Sequence, residues 1–407
     1  MIRSFYIQNH CSVKNRINIS FEASSLSDTT SFENVFRYRE ENILKIISFY
    51  GANASGKSSI IKGLAAMREL IVPFVPGRLP YCPFSFSQDS IDKPTFFGIE
   101  FSLDNTETLF YRYEVSFDKN SILKEKLEKF SSQKPTLLFD RTESKIVFGS
   151  TIQNNPLLLQ LSDSLIKNKT FLSIFANIKI QDFYDAYLFF FERLINISPE
   201  VTRFDDLLPA EFKSNEQLKN FSENLLKAAD FDIDGIEIKK KPIQYFPAPG
   251  FSQTIEREML VFNHKGQNCG GQIEFVNESL GTKKILIIAK HLYDALTKSS
   301  ILIVDELESS LHPDLARLII EIFLDDSINI HNSQLIFTSH NAALLDLGLF
   351  RREQINFVYK DKDTCSTFIR SLKDFHVRKT DSIDKSYLAG RFSTSPNVNK
   401  GLFNGEE

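Results

Sequence analysis

The sequence is poor in cysteine and has no tryptophan. Its four cysteines lie far apart and form no Cys-x-x-Cys pair. This spacing argues against a zinc ribbon, which needs closely spaced cysteines, and against a disulfide framework, which needs many. We therefore expect free thiols in a reducing compartment. The cysteines are Cys11, Cys82, Cys269 and Cys365.

Strong net charge and long apolar runs are also missing. A formal net charge of −4 argues against nucleic-acid binding through overall charge, so a DNA contact would need a local basic face. The lysine run at 239–241 and Arg351–Arg352 are candidates, although a short charge run is more often a solvated turn; DNA binding stays open. No apolar run reaches membrane-spanning length, and the N-terminus has no apolar signal core. We expect a cytoplasmic protein without a membrane partner.

The order of apolar patterns predicts an α/β protein with a mixed sheet, an antiparallel β subdomain and a helical insertion. Early strands flank a strand–glycine loop–helix unit, and an antiparallel meander follows from about residue 95. Helical spacing then predominates, and "IQDFYDAYLFFFERLINI" has the spacing of one helix. Strands return at 235–241 and 256–276, after which strand and helix alternate as in parallel βαβ units. The predicted units are an N-terminal lobe at 1–149, a helical insertion at 150–235, a C-terminal lobe at 236–392 and a flexible tail at 393–407.

Residues Gly51 to Ser58, "GANASGKS", match the complete G-x-x-x-x-G-K-S pattern of a phosphate-binding loop. Glycines let the backbone turn so that its N–H groups point at phosphate oxygens, and the following helix presents its positive end to the anion. Lys57 would reach the terminal phosphates, and the Ser58 hydroxyl would bind Mg²⁺. The candidate nucleotide-binding residues of the loop are Gly51, Asn53, Ser55, Gly56, Lys57, Ser58 and Ser59.

Two further strands end in polar residues. "ILIV" is followed by Asp305 and Glu306, the Walker B arrangement, in which Asp305 would hold Mg²⁺ and Glu306 would activate the attacking water. "SQLIFTSHN" ends with His340, which is expected to lie in the same sheet. Because the carboxyl ends of parallel strands face the ligand crevice, His340 is placed to contact the γ-phosphate or the water.

These motifs together resemble the ABC-type ATPase superfamily, and within it the branch of RecF, SMC and OLD-like ATPases. "VDELESSLHP" is similar to the DEPExxLHP pattern of that branch, and "TSHNAALLD" is similar to its switch-histidine loop. The resemblance covers the chain outside residues 150–265 and implies that Glu308 to Pro313 form the D-loop. The helical insertion and the "LHP" context do not fit a transporter subunit.

The C-terminal run "RREQINFVYKDKDTCSTFIRSLKDFHVRKTDSIDKSYLAGRFSTSP" resembles, more narrowly, stand-alone bacterial ATPases of phage-defence and abortive-infection operons (RloA/AbiL-like and PARIS AriA-like). Ser393 stands where that group usually has glycine. We expect no Toprim-like metal-binding domain in the chain. The resemblance therefore implies a separately encoded effector, a Toprim-type or other nuclease or a toxin.

The resemblance also identifies "ESLGTKK" as the signature motif, in which Ser279, Gly281 and Thr282 would contact the γ-phosphate bound by a partner molecule. Two heads would meet head to tail, so the resemblance implies a homodimer or higher homo-oligomer. Leu280 departs from the usual signature. The Q-loop glutamine has only two candidates by location, Gln88 and Gln133, and for both a solvent-exposed glutamine is the simpler reading.

The resemblance thus implies an ATP- and Mg²⁺-dependent ATPase that acts as sensor or scaffold of an antiviral system. One alternative is a RecF/SMC-like DNA-repair ATPase with the same chemistry. Another is a nucleotide-dependent oligomeric scaffold with little turnover.

Overall fold

The fold is taken from a computed structural model. It describes residues 1–24, 30–31, 33–38, 41–75, 77–103, 110–131, 134–163, 165–197, 208–229, 232–248, 251–265, 270–309, 311–378 and 381–392. The predicted tail at 393–407 and the candidate Gln133 lie outside these residues.

Strands and helices are numbered along the chain. The strands are β1 (Ile2–Gln8), β2 (Ile17–Ser20), β3 (Val35–Tyr38), β4 (Glu41–Leu44), β5 (Ile46–Tyr50), β6 (Thr95–Phe101), β7 (Phe110–Phe117), β8 (Ile122–Phe130), β9 (Thr136–Thr142), β10 (Ile146–Phe148), β11 (Leu194–Ile197), β12 (Ile233–Ala248), β13 (Phe251–Lys265), β14 (Gly270–Glu274), β15 (Ile301–Val304), β16 (Gln334–Ser339), β17 (Ile355–Lys360) and β18 (Thr367–Ser371). The helices are α1 (Lys57–Ile71), α2 (Gln88–Ile91), α3 (Pro156–Ser162), α4 (Gln181–Leu188), α5 (Leu208–Ser214), α6 (Glu216–Ala228), α7 (Leu280–Lys298), α8 (Pro313–Leu324) and α9 (Ile383–Leu388).

A six-stranded sheet carries the motifs, in the order β11-β15-β16-β5-β17-β18. All neighbours in it are parallel except β17 and β18. Every residue of β5, β15 and β16 is buried, as in parallel strands that are covered on both faces. Ile301 and Ile303 face one hydrophobic core and Leu302 and Val304 face the other, so β15 lies between two layers. The predicted parallel βαβ arrangement is confirmed.

A seven-stranded antiparallel sheet forms the second part of the fold, in the order β10-β9-β8-β7-β6-β1-β2. Residues alternate between buried and partly exposed along β7, which is typical of a sheet with one face on the core. This sheet confirms both the predicted meander and the predicted strand pair at the N-terminus. The α/β class with an antiparallel β subdomain is therefore confirmed.

One predicted helix is wrong at its end. The sequence pattern predicts a single helix through Ile197, but α4 ends at Leu188, a π-helical turn follows at Phe189–Arg193, and β11 pairs in parallel with β15. Phe189 stacks on Phe101 of β6 with ring centroids 4.0 Å apart, which holds the turn against the antiparallel sheet. Pairing with a distant strand overrides the local helical spacing. The domain boundaries at 149, 235 and 392 stay predictions.

Strands β12 and β13 form a long antiparallel hairpin that continues into β14. β12 is longer than the predicted strand at 235–241, and the predicted segment 256–276 contains the second part of β13 and all of β14. Lys239–Lys241 lie within β12 and are not a turn, contrary to the simpler reading of that run. The hairpin leads directly into the short segment before α7, which contains Ser279.

Candidate functional site

The carboxyl ends of β5, β15 and β16 lie side by side. Ser339, the last residue of β16, is the parallel partner of Tyr50, the last residue of β5, and Val304 of β15 pairs with Phe337. Each strand is followed directly by one predicted motif. The sheet therefore brings the phosphate loop, Asp305–Glu306 and His340 to one edge, although they are far apart in sequence.

The phosphate loop has little room for side chains. Gly56 has a φ of 109°, a left-handed conformation that favours glycine. A Cβ on Gly51 would lie 2.2 Å from the carbonyl oxygen of Val358, so the backbone can pass β17 only without a side chain. The Lys57 ammonium donates to the carbonyl oxygens of Gly51 at 2.7 Å and of Ala52 at 3.0 Å. Lys57 thus lies over the loop that it serves.

Two hydroxyl residues outside the motif support the loop. Thr367, the first residue of β18, donates from Oγ1 to the carbonyl oxygen of Ser55 at 3.0 Å. Ser12 Oγ lies 2.8 Å from Ser59 Oγ and 2.7 Å from Thr367 Oγ1. Sequence analysis missed both residues, because isolated serines and threonines far from a motif carry no recognisable signal. They connect the two ends of the chain to the phosphate loop.

Thr338 holds the acidic pair in place. Its Oγ1 donates to Asp305 Oδ1 at 2.5 Å and accepts from the backbone N–H of Glu306 at 2.7 Å. Glu306 has a φ of 53°, which is uncommon for a residue other than glycine, asparagine or aspartate. The side chain of Glu306 is exposed. One buried threonine of β16 therefore sets the orientation of the carboxylate after β15.

Glu308 is a third carboxylate at this edge, and it contacts His340. Its Oε1 accepts from the His340 backbone N–H at 2.8 Å and lies 3.1 Å from His340 Nδ1. The Glu308 side chain is 8% exposed, whereas that of His340 is 50% exposed. Glu308 Oε2 is buried and has no hydrogen-bond partner among the described residues. Sequence analysis placed Glu308 only in the D-loop and did not predict its contact with His340.

Two lysine ammonium groups lie close enough to these carboxylates for the negative charges to affect their pKa values. Burial lowers the pKa of the Lys57 ammonium, and the charges of Glu306, Asp305 and Glu308 act in the opposite direction. Burial likewise lowers the pKa of Lys284 on α7, and Glu308 and Glu306 oppose that shift. Lys57 of the phosphate loop and Lys284 near the start of α7 are therefore both close to this acidic cluster.

The predicted signature residues form the N-terminal cap of α7. Ser279 Oγ accepts from the Thr282 backbone N–H at 3.0 Å and lies 2.8 Å from Thr282 Oγ1. Glu278 is buried and its Oε1 lies 2.6 Å from His264 Nε2 of β13. Leu280 is 75% exposed, and Ser279 is exposed beside it. Ser279, Gly281 and Thr282 thus share one helix start, at which Ser279 is exposed and Thr282 is buried.

Lys239–Lys241 and Arg351, from the two basic candidates for a DNA contact, are paired with acids. Lys239 lies 3.5 Å from Glu237 and Lys240 lies 3.9 Å from Glu256, and Lys241 contacts a glutamate of β14. Arg351 Nη2 lies 2.7 Å from a carboxylate oxygen of Glu353. Pairing of this kind reduces the positive field that attracts DNA.

Gln88 begins the one-turn helix α2 and is exposed. Its assignment to a Q-loop stays a prediction. Among the described helices, none combines the length and the apolar character that crossing a bilayer needs.

Several solved structures match this chain at low identity. An SMC head bound to the C-winged helix domain of ScpA matches with a TM-score of 0.47 and 14% identity, over 92% of this chain and 98% of that chain. The SMC head domain from Thermotoga maritima matches with a TM-score of 0.41 and 14% identity, over 91% and 98%. CbiO1 from Clostridium perfringens, part of the ABC transporter complex CbiONQ, matches with a TM-score of 0.32 and 12% identity, over 89% and 96%. No curated protein matches the chain.

A family model described as "AAA domain, putative AbiEii toxin, Type IV TA system" matches residues 46–346. The match covers well over half of the chain and includes the phosphate loop, Asp305–Glu306, His340 and the cap of α7. The chain therefore belongs to this AAA-domain family.

Proposed function

We propose that this protein binds ATP with Mg²⁺ at the carboxyl edge of its parallel sheet and hydrolyses it to ADP and phosphate. The observation that carries the proposal is the meeting of three loops at the ends of β5, β15 and β16. Phosphate would lie on the backbone N–H groups at the start of α1, a helix of 15 residues whose positive end favours anions. Family membership supports the same chemistry.

Ser58 and Asp305 are suited to Mg²⁺, because they offer the hard oxygen ligands that this ion prefers. Bound there, Mg²⁺ neutralises charge on the phosphates. The Thr338 hydroxyl, 2.5 Å from Asp305 Oδ1, holds the carboxylate in one orientation. Lys57 would move from the carbonyl oxygens of its own loop to the terminal phosphates.

Glu306 is the proposed general base, since its exposed carboxylate follows Asp305 directly and can accept a proton from water. His340 is the proposed γ-phosphate contact. If His340 Nδ1 donates to Glu308, Nε2 is the ring nitrogen left for the phosphate. Half of the His340 side chain is exposed, so this nitrogen can reach a ligand.

We further propose that two molecules close head to tail around ATP. The cap of α7 supports this proposal, because Ser279 and Leu280 are exposed at a helix start whose N–H groups attract anions. In the dimer this cap would contact the γ-phosphate bound by the other copy. Glu278, held by His264, would keep the cap rigid.

The proposed biological role is that of the ATPase of a bacterial anti-phage system that controls a separately encoded effector. The family description names a toxin of a toxin–antitoxin system, and this supports a role in defence against phage. The gene expressed with its genomic neighbours should then lower phage plaque counts, and Lys57→Ala should restore them. DNA-stimulated hydrolysis without any protection from phage would favour a DNA-repair role instead.

Replacing Glu306 tests the chemistry. Glu306→Gln should lower phosphate release at least about a hundredfold, the usual contribution of a general base, and should keep ATP binding. Light scattering should show an ATP-dependent dimer that persists in this variant. Glu216→Gln, on helix α6, is the matched control and should match the parent. Hydrolysis by Glu306→Gln at the parent rate would refute the assignment.

Mixing two inactive variants tests the composite site. Lys57→Ala removes the phosphate-loop lysine, and Gly281→Asp places an acid in the cap of α7. If each site combines the loop of one copy with the cap of the other, a mixture contains one intact site per mixed dimer and regains ATPase activity. No recovery, in a mixture shown to contain mixed dimers, would mean that each chain is complete alone.

A further inference from the structure

A second cavity lies at the opposite edge of the parallel sheet. Its volume is about 900 Å³, and sites that hold small ligands have this size. The cavity is lined at Leu194 and Ser299, where β11 and β15 begin, and also by the last turns of α1 and α7. Because the phosphate loop and Asp305 lie at the other ends of the strands, this cavity is separate from the ATP site proposed above.

Two arginines that line this cavity have no acidic partner. Arg68 lies in the last turn of α1, and Arg193 directly precedes β11. Within the described ranges, neither forms an ion pair, and the Nε of each is buried without a hydrogen-bond acceptor. Arg68 donates from Nη2 to the carbonyl oxygen of Phe191 at 3.4 Å, a long contact. Burial lowers the pKa of Arg68, so this charge is held in a partly dehydrated place.

Among the described residues, the other charged groups that line the cavity form no ion pair with these arginines. Asp294 is paired with Lys290 at 2.6 Å and with Lys298 at 3.4 Å. Glu192 is exposed. Burial lowers the pKa of His291 to about 4, so its ring is neutral near pH 7 and offers hydrogen bonds without charge. The two guanidinium groups of the cavity therefore carry positive charges that no described carboxylate neutralises, and such a pair of charges favours an anionic ligand.

We propose that this cavity binds a small phosphomonoester of roughly nucleotide size through Arg68 and Arg193. The planar guanidinium matches a phosphate group in shape, and two of them match its double negative charge. Phe191 lines the same cavity, is 50% exposed and stacks on Tyr187 with centroids 5.9 Å apart. It offers apolar surface to the organic part of the ligand.

Binding of AMP tests the proposal, with adenosine as the counterpart that lacks phosphate. Calorimetry is done on the full chain carrying Lys57→Ala, so that the phosphate loop does not contribute. AMP should bind at least tenfold more tightly than adenosine. Arg68→Leu combined with Arg193→Leu should weaken AMP binding at least tenfold, because hydrogen bonds to charged groups are the strong ones. Glucose 6-phosphate should also bind, because it carries the same phosphate group as AMP.

The matched control removes a charge that already has a partner. Lys298→Met takes a cation from the same cavity, but that cation is paired with Asp294, so AMP binding should change less than threefold. Thermal unfolding checks that each variant folds, and Arg193→Gln alone replaces the double variant if the latter does not. Three results would overturn the proposal: no AMP binding at millimolar concentration, equal binding of adenosine, or an equal loss in Lys298→Met and in the arginine variants.

Discussion

The contact between Glu308 and His340 leads to a quantitative prediction. Glu308→Ala removes a carboxylate that accepts from the His340 backbone N–H at 2.8 Å and lies 3.1 Å from His340 Nδ1, in a side chain that is 8% exposed. A hydrogen bond to a charged group contributes about 1.5–3 kcal/mol. If about 2 kcal/mol of this serves to hold the His340 ring for the transition state, kcat should fall about thirtyfold, since 1.36 kcal/mol is tenfold in rate. The KM for ATP should change little, because the phosphate loop is intact.

Two further variants separate positioning from simple loss of structure. Glu308→Gln keeps an oxygen acceptor of the same length and should stay within about fivefold of the parent kcat. In a His340→Ala background, Glu308→Ala should cost little more, because residues that act through one another are not additive. Steady-state ATPase kinetics, with thermal unfolding as a folding check, are measured for the parent and all four variants.

The reasoning fails on either of two results. A folded Glu308→Ala protein with kcat within twofold of the parent would show that the contact does not matter for hydrolysis. Strictly additive losses for Glu308→Ala and His340→Ala would show that Glu308 acts by a route that does not include the histidine.

Three other predictions concern the acidic pair, the phosphate loop and a buried imidazole. Thr338→Val should raise the Mg²⁺ concentration needed for half-maximal ATPase activity about tenfold, because Asp305 loses its hydroxyl donor. Thr338→Ser keeps a hydroxyl and should have the Mg²⁺ dependence of the parent. Equal Mg²⁺ dependence in the two variants would contradict this role of the hydroxyl. Gly56→Ala should abolish ATP binding and lower the urea unfolding free energy by about 2 kcal/mol or more, because φ is 109° and a Cβ would lie 2.0 Å from a threonine hydroxyl oxygen. Gly271→Ala is the control, because its Cβ would meet nothing within 4 Å, and it should change the free energy of unfolding little. Equal urea midpoints for the two variants would show that Gly56→Ala introduces no strain. Burial lowers the pKa of His10 from 6.5 to about 4. As the pH falls, His10 is therefore protonated in the unfolded chain before it is protonated in the folded chain, and the free energy of unfolding decreases between about pH 6.5 and pH 4. From pH 7 to pH 5 this amounts to about 2 kcal/mol of unfolding free energy, and a His10→Phe chain with the same pH slope would argue against it.

Much of the site was predictable because its motifs are local. A glycine-bearing loop between a strand and a helix is a short-range pattern, and the structure places α1 and β5 around Gly51–Ser58 as expected. Helix α8 has local causes too, since Pro313 fits a first helical turn and the apolar spacing continues to Leu324. Ser279 caps α7 for a similarly local reason: its hydroxyl satisfies an N–H three residues away.

What could not be predicted depends on residues that meet across long stretches of chain. β11 has a helical pattern by its spacing and becomes a strand because β15, about a hundred residues later, offers an edge to pair with. Thr338 and Glu308 lie inside predicted motifs and Thr367 lies outside them, but only strand order shows which carboxylate, ring or carbonyl each one contacts.

Sequence alone therefore predicted the nucleotide chemistry, because phosphate binding is built from consecutive backbone groups and a few adjacent side chains. Folding was needed to show the supporting hydroxyls, the Glu308–His340 pair and the arginine-lined cavity, because each joins groups whose distance depends on how the sheet is assembled.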